Sequence, residues 1–265
     1  MDQKLGELMQ SIQKPFPGKR TITALVLAFS LTYCASVEPK PKIEIPSAKT
    51  SIQIQPIFHG SLVLTIGEKT IYVDPSWGGD KYKDLKKPDL ILITDIHPDH
   101  MDLKTLGEIA TKETPIIAPE AVAKEAKDYV NITRLKNGQS TSVGDINFSA
   151  IPMYNITKEH LDKHTKGRGN GYLIKFGGKT IYISGDTEDI KEMRALKNID
   201  IAFLCMNQPY TMSVEKAADA VKDFKPKVVY PYHYRGKDGL SDTEKFKALV
   251  KESSPSTEVT LINWY

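Results

Sequence analysis

The chain is poor in cysteine: Cys34 and Cys205 are its only two in 265 residues. So few give no disulfide framework. Cys205 closes the apolar run Ile201-Ala202-Phe203-Leu204, and no neighbour in sequence would lower its pKa. It therefore reads as a small buried hydrophobe and not as a nucleophile. Charge imbalance is small as well. The 36 Lys and Arg against 33 Asp and Glu give +3; setting aside Lys4, Lys14, Lys19, Arg20, Asp2 and Glu7, which precede Cys34, leaves 32 against 31, or +1. Without a concentrated basic face there is no electrostatic reason to expect a nucleic-acid partner. The apolar stretch 24–31 falls far short of the roughly 20 residues that a spanning helix needs. A P-loop, a dinucleotide fingerprint and a legible Ser-His-Asp arrangement are missing too. Gly167-Arg168-Gly169-Asn170-Gly171 lacks the helix a phosphate cradle requires, so it is expected to be a flexible turn.

What is present describes a foldable chain with a leader. At 40% hydrophobic and 26% charged, 265 residues suffice for one large α/β domain or two small ones. Lys14, Lys19 and Arg20 precede the short apolar stretch, which runs into Leu31-Thr32-Tyr33-Cys34-Ala35-Ser36. That order resembles a bacterial lipoprotein signal. Residues 1–34 are expected to be a signal peptide with lipidation at Cys34, the alternatives being ordinary cleavage near Ser36 or an uncleaved anchor. Residues 35–50, rich in Pro, Lys and Ser, read as a tether, and 51–265 as the folded domain. The protein is then expected to be exported in a bacterium and held at a membrane.

From Ser51 onward, β-rich runs alternate with helical ones. Strands are expected at 52–58, 61–66, 69–74, 89–94, 115–118, 146–152, 171–176, 179–184, 200–205, 227–231 and 258–264. Helices are expected at 103–111, 119–129, 188–197, 214–224 and 242–252, the last with Ser241 and Glu244 as a capping box. The wording Gly67-Glu68-Lys69-Thr70-Ile71-Tyr72-Val73-Asp74 recurs as Gly177-Gly178-Lys179-Thr180-Ile181-Tyr182-Ile183-Ser184. Two hairpins so alike suggest two related halves.

The chemistry concentrates behind one apolar strand. Asp89-Leu90-Ile91-Leu92-Ile93-Thr94 leads into Asp95-Ile96-His97-Pro98-Asp99-His100, placing four metal-capable side chains at the carboxyl end of a strand. Asp95 and His97 share a side while the chain stays extended, and the turn at Pro98 sends Asp99 and His100 to a neighbouring position. Asp102 reads as the N-cap of the following helix.

This run resembles the His-x-His-x-Asp-His signature of the metallo-β-lactamase superfamily, with Asp95 in place of the first histidine. His164, Asp186 in Ser184-Gly185-Asp186-Thr187, and His233 in Tyr230-Pro231-Tyr232-His233-Tyr234 follow in that family's order. The resemblance covers about residues 51–265. It implies an α/β fold, a four-layer αββα sandwich of two related halves with mixed β-sheets. It further implies two divalent metal ions, the first on Asp95, His97 and His164, the second on Asp99, His100 and His233, with Asp186 bridging. Such ligands suit Zn²⁺ and also Mn²⁺ or Fe²⁺. His160 competes with His164; His164 is preferred because it adjoins the glycine-rich loop.

By the same resemblance the protein is a metallo-hydrolase that uses a metal-bridging hydroxide to cleave an ester, lactone or phosphodiester bond, with Asp99 and Asp186 as its catalytic acids. The wording is similar to the branch holding sugar-lactone hydrolases and N-acyl-phosphatidylethanolamine phospholipase D, which implies a small-molecule or lipid-like substrate. His59 and Asp74 are expected to orient ligands, or else to cap turns. Tyr154, Asn207, Tyr210, Tyr234 and Arg235 fall in loops that the fold places near the metals, where they either meet substrate or pack. The alternative function is an exported, lipid-tethered metal- or ligand-binding protein without catalysis, motivated by the Asp95 replacement.

Overall fold

A computed structural model describes residues 43–45 and 51–265. The expected leader and Cys34 lie outside the described residues, as does the expected tether except at 43–45. There a strand, β1 (Ile43–Ile45), pairs antiparallel with β2 (Ile52–Phe58), so the segment expected to be wholly tether supplies a sheet edge. β3 (Ser61–Ile66) and β4 (Lys69–Val73) continue the antiparallel run. β5 (Leu90–Leu92), β6 (Ile116–Ala118) and β7 (Ile132–Arg134) then add in parallel.

The second sheet repeats that plan. β8 (Ser140–Val143), β9 (Ile146–Met153), β10 (Gly169–Phe176) and β11 (Lys179–Ile183) are antiparallel neighbours. β12 (Ile201–Cys205) and β13 (Val228–Tyr232) follow in parallel. A small ribbon, β14 (Arg235–Gly236) and β15 (Gly239–Leu240), stands apart, and β16 (Glu258–Val259) completes the second sheet.

The duplicated wording seen in the sequence is a duplicated bonding scheme. Thr70 N–H donates to Asp89 Oδ2 at 2.9 Å, and Asp89 N–H returns a bond to Thr70 O at 2.8 Å. In the second half Thr180 N–H donates to Asp200 Oδ2 at 2.9 Å, and Asp200 N–H bonds Thr180 O at 2.9 Å. Lys69 and Lys179 sit 3.5 and 3.6 Å from those same two aspartates.

Alternation along the strands fixes the layers. In the first sheet Leu62, Leu64, Ile71, Val73, Leu90 and Leu92 face the second sheet and join Phe148, Tyr172, Ile174 and Ile183 in one core. The intervening Val63, Tyr72, Ile91 and Ile93 face the other way, onto Leu106 and Ile109 of α1 (Leu103–Ile109) and Val122 of α2 (Glu120–Glu125). Beyond α3 (Lys191–Arg194), Ala217, Val221 and Phe224 of α4 (Val214–Phe224) and Phe246 and Val250 of α5 (Thr243–Ser253) cover the far side of the second sheet. The order helix, sheet, sheet, helix is the expected αββα sandwich.

Several local expectations are corrected. The glycine-rich segment is a turn only as far as Arg168, because Gly169 to Gly171 open β10 and pair with β9. A side chain at Gly171 would come within 2.9 Å of Ser184 O, so only glycine admits this approach. Asp242, not Ser241, caps α5 through Lys245 N–H at 2.8 Å, while Ser241 Oγ donates to Met206 O. The expected strand 258–264 stops at Val259, beyond which the chain turns toward the site and Trp264 O accepts from His59 N–H at 3.2 Å. Cys205 is fully buried and burial lifts its thiol to about 11, in keeping with an inert side chain.

Candidate metal centre

Apart from His164, which lies in the segment between the 3-10 helix Lys158–His160 and β10, the side chains of the candidate centre hang from the end of a strand or the loop just after it. His59 follows β2, Asp74 follows β4, the 95–100 run follows β5, Asp186 follows β11 and His233 follows β13. His59, Asp74 and His233 adopt left-handed backbone, at φ 56, 47 and 49. Such conformations are costly for residues other than glycine and gather at functional sites. Gly60 makes room for one of them: a Cβ there would meet the His233 ring at 2.7 Å.

The two halves close over each other here. Asn170 N–H donates to Thr94 O at 2.9 Å, Tyr172 Oη to Ile93 O at 2.9 Å, and His233 N–H to His59 O at 3.1 Å. Three groups of side chains able to hold a metal ion result: Asp95, His97 and His164; His100, Asp186 and His233; and His59, Asp99 and His233.

Asp186 stands between the first two groups. Its Oδ2 lies 3.2 Å from His164 Nε2 and 3.4 Å from His100 Nε2, and its Oδ1 lies 3.3 Å from His233 Nε2. That Oδ1 is buried and makes no hydrogen bond. A bare carboxylate oxygen facing imidazole nitrogens in a buried pocket is the donor set of a cation site. The residues therefore fit a divalent metal.

A second ring of contacts sets the histidine tautomers. Buried Asp74 accepts His100 Nδ1–H at 2.8 Å, Thr94 N–H at 2.7 Å and Thr94 Oγ1–H at 2.6 Å. His100 thereby turns Nε2 inward, toward Asp186 and His233. Asn155 Oδ1 lies 3.3 Å from His164 Nδ1 and directs that ring in the same way. His59 Nε2 is 3.2 Å from Asp99 Oδ2 and Nδ1 is 2.6 Å from Tyr265 Oη. Asp99 can only accept when ionised, so Nε2 carries the proton and the tyrosine donates to Nδ1. His59 thus orients Asp99.

Electrostatics follow from burial and these neighbours. Burial pushes the Asp186 and Asp99 carboxyls up, but the surrounding imidazoles outweigh it and hold both well below the ordinary range. Burial lowers His100, yet Asp186, Asp74 and Asp99 raise it well above its usual value. Burial brings His59 down to about 4 despite its bond to Asp99.

Asp95 has a partner that sequence reasoning missed. Arg168 Nε donates to Asp95 Oδ1 at 3.1 Å and Arg168 Nη2 to Oδ2 at 2.8 Å, while His97 Nδ1 lies 2.8 Å from the same Oδ2. No local pattern marks an arginine 73 residues away. Tyr265 was likewise invisible, being 206 residues from His59.

The loop residues expected either to meet substrate or to pack fall in different surroundings. Tyr234 is buried and its Oη accepts from Trp264 N–H, a packing role. Tyr154 Oη donates to Glu192 Oε2 at 2.9 Å under Lys166, bound into a surface ion cluster. Asn207 is buried and its backbone N–H bonds Thr211 Oγ1. Tyr210 and Arg235 are exposed. His160 sits in a one-turn 3-10 helix (Lys158–His160), outside all three groups. Trp77, 40% exposed at φ 77, was not anticipated; it stands 5.5 Å from His59 and 5.1 Å from Phe58, ring centre to ring centre.

Comparison with known proteins agrees with this architecture. The beta-lactamase superfamily domain matches residues 69–234. The chain is 33% identical over 201 residues to a UPF0173 metal-dependent hydrolase of Pyrococcus abyssi, covering 71% of this chain and 88% of that one. The crystal structure of a candidate metal-dependent hydrolase of Parabacteroides distasonis superposes with a TM-score of 0.76 at 38% identity, over 84% of this chain and 98% of the other. The metallo hydrolase Igni18 of Ignicoccus hospitalis, at 22% identity and TM-score 0.67 over 80% of this chain and 95% of its own, shares the fold. With its strand plan duplicated and its acids and imidazoles gathered at the seam, this chain belongs to the metallo-β-lactamase superfamily and, within it, to the UPF0173 metal-dependent hydrolases.

Proposed function

We propose that the protein hydrolyses an ester, lactone or phosphodiester bond at a metal centre formed by Asp95, His97, His164, Asp99, His100, His233 and the intervening Asp186. The observation that carries this reading is the buried Asp186 carboxylate, with Oδ2 against His100 and His164 and a bare Oδ1 against His233. A divalent cation, with Zn²⁺ first and Mn²⁺ or Fe²⁺ as the other candidates, supplies Lewis acidity there: a more acidic water and a polarised substrate oxygen. Asp99, the most accessible acid of the set with its side chain 22% exposed, takes the proton of the attacking water. His59 and Tyr265 hold Asp99 in place for that transfer. Asp74 and Asn155 keep the inward nitrogens of His100 and His164 free of protons.

The substrate we infer is a small or lipid-like molecule, and the wall of Phe58, Trp77 and Tyr265 beside His59 suits an apolar or ring-bearing part of it. The sugar-lactone hydrolases and N-acyl-phosphatidylethanolamine phospholipase D, which the motif wording resembles, act on molecules of that kind. A Cys34-linked lipid would bring the domain to the membrane where such molecules occur.

The test is a panel of esters, lactones and phosphodiesters offered to the metal-loaded protein beside Asp186→Ala. Turnover of one class, lost with the metal in the variant, supports the reading. Full loading without turnover of any class favours the alternative, an exported binding protein without catalysis.

A further inference from the structure

The groups on the two sides of Asp186 are not electrostatic equals. On the His100 and His233 side, Asp99 adds a second carboxylate, and what faces it is imidazole, His59 Nε2 at 3.2 Å and His233 Nε2 at 3.5 Å, and not a guanidinium. On the His97 and His164 side, the added acid is Asp95, and Asp95 is already neutralised. Its side chain is fully buried and Arg168, 18% exposed, grips both oxygens at once. A guanidinium fork of this kind takes one lone pair from each oxygen and supplies a full positive charge that cannot be titrated away.

The approach of this arginine is built into the fold. Arg168 lies between Gly167, at φ 85, and Gly169, whose bare Cα passes so near that a Cβ would stand 2.9 Å from Thr94 O and 3.2 Å from Asp95 Oδ1. Any side chain at 169 would push β10 away from the 95–100 run and withdraw the arginine. Arg168 N–H is itself anchored to Thr165 O at 3.1 Å. The two contacts make a bidentate guanidinium–carboxylate pair within the first ligand group.

We propose that Arg168 makes the centre unequal, with one tightly held divalent metal on His100, Asp186, His233 and Asp99 and one weakly held on Asp95, His97 and His164, because the guanidinium occupies Asp95. This rests on the metal-hydrolase reading above and deepens it. Arg168 acts through Asp95 as a positioning residue, and the second metal enters only by competing with it. A merely structural arginine predicts the reverse, since its loss would disorder the ligands and lower metal content.

The experiment is stepwise Zn²⁺ titration of the purified full chain against a chelating indicator, with metal per chain counted by elemental analysis after gel filtration. The wild type is expected to hold one tight equivalent and a second about 10- to 100-fold weaker. Arg168→Gln should bring the second equivalent close to the first. Asp95→His, which gives the arginine nothing anionic to grip, should do the same, so the outcome does not hang on one variant folding well. Two equally tight equivalents in the wild type, or loss of metal in Arg168→Gln, overturn the proposal and leave the hydrolase reading standing. No specific Zn²⁺, Mn²⁺ or Fe²⁺ in the wild type overturns both.

Discussion

Replacing Asp74 separates stability from metal binding in a way the geometry makes quantitative. Its carboxylate is fully buried and accepts from Thr94 N–H, Thr94 Oγ1–H and His100 Nδ1–H within 2.8 Å. In Asp74→Ala all three donors lose their acceptor. Each buried, unmet donor costs about 1–3 kcal/mol, and breaking a buried charged pair costs about 3–5 kcal/mol. Alanine at φ 47 adds about 1–2 kcal/mol of backbone strain that Asp and Asn largely escape. Even the low ends of these ranges together come to about 7 kcal/mol, which lowers Tm by roughly 15–30 °C in a domain of this size.

Asp74→Asn should behave differently. Its oxygen still accepts from Thr94, but its amide N–H now points at His100 Nδ1, which must become an acceptor. The proton moves to Nε2, the nitrogen directed at Asp186. Thermal unfolding of the metal-free protein should then shift by only a few degrees, while metal affinity drops about 10- to 100-fold. Differential scanning fluorimetry without metal, beside chelator competition, reads the two effects separately. Asp74→Asn binding metal as tightly as wild type would refute the assignment of His100 Nε2 as the inward ligand atom.

Four further outcomes are expected. Metal uptake should release protons and strengthen as pH rises. His100 is raised above its ordinary value by Asp186, Asp74 and Asp99 against the opposing pull of burial, so in the metal-free protein its proton competes with the cation, and its contribution to stability, present at low pH, fades as pH climbs through that raised value; pH-stat titration during metal addition checks this. Gly60→Ala drives a methyl group into the His233 ring and should cut both metal content and Tm, the latter by several degrees. With its thiol lifted to about 11, Cys205 is about 0.1% thiolate at pH 8 and should resist alkylation until denaturant is added, as peptide mapping will show. Trp77→Ala should raise KM for the best substrate found while kcat changes little, because the ring touches only the wall of the site.

How far the sequence could be read depended on the range of the signal. The 95–100 run is local, a strand followed by a turn, so its metal-capable character was legible at once. The duplicated Gly-Lys-Thr hairpins announced two halves, and the αββα layering follows from the alternation of Leu62, Val63 and Leu64 between two cores. Short edge strands such as β7 and β8 escaped because they are half exposed and carry few apolar residues. Arg168 and Tyr265 escaped because their partners are joined only by folding. For Tyr154 and Tyr234, expected either to meet substrate or to pack, the sequence says nothing about which way a ring turns, and theirs go to Glu192 and to the backbone of Trp264.

The Thr70–Asp89 and Thr180–Asp200 clasps leave each half internally tied, so what joins the halves near the site is a handful of hydrogen bonds and the shared core. Each of the three ligand groups draws on both halves, with His59 and the 95–100 run from one and His164, Asp186 and His233 from the other. A bound cation is then a rivet through the seam. Its binding energy becomes cohesion between the two halves, added to that of their shared core, and stripping the metal should loosen the join first, exposing the segment between β7 and β8 to proteases while both ladders remain intact.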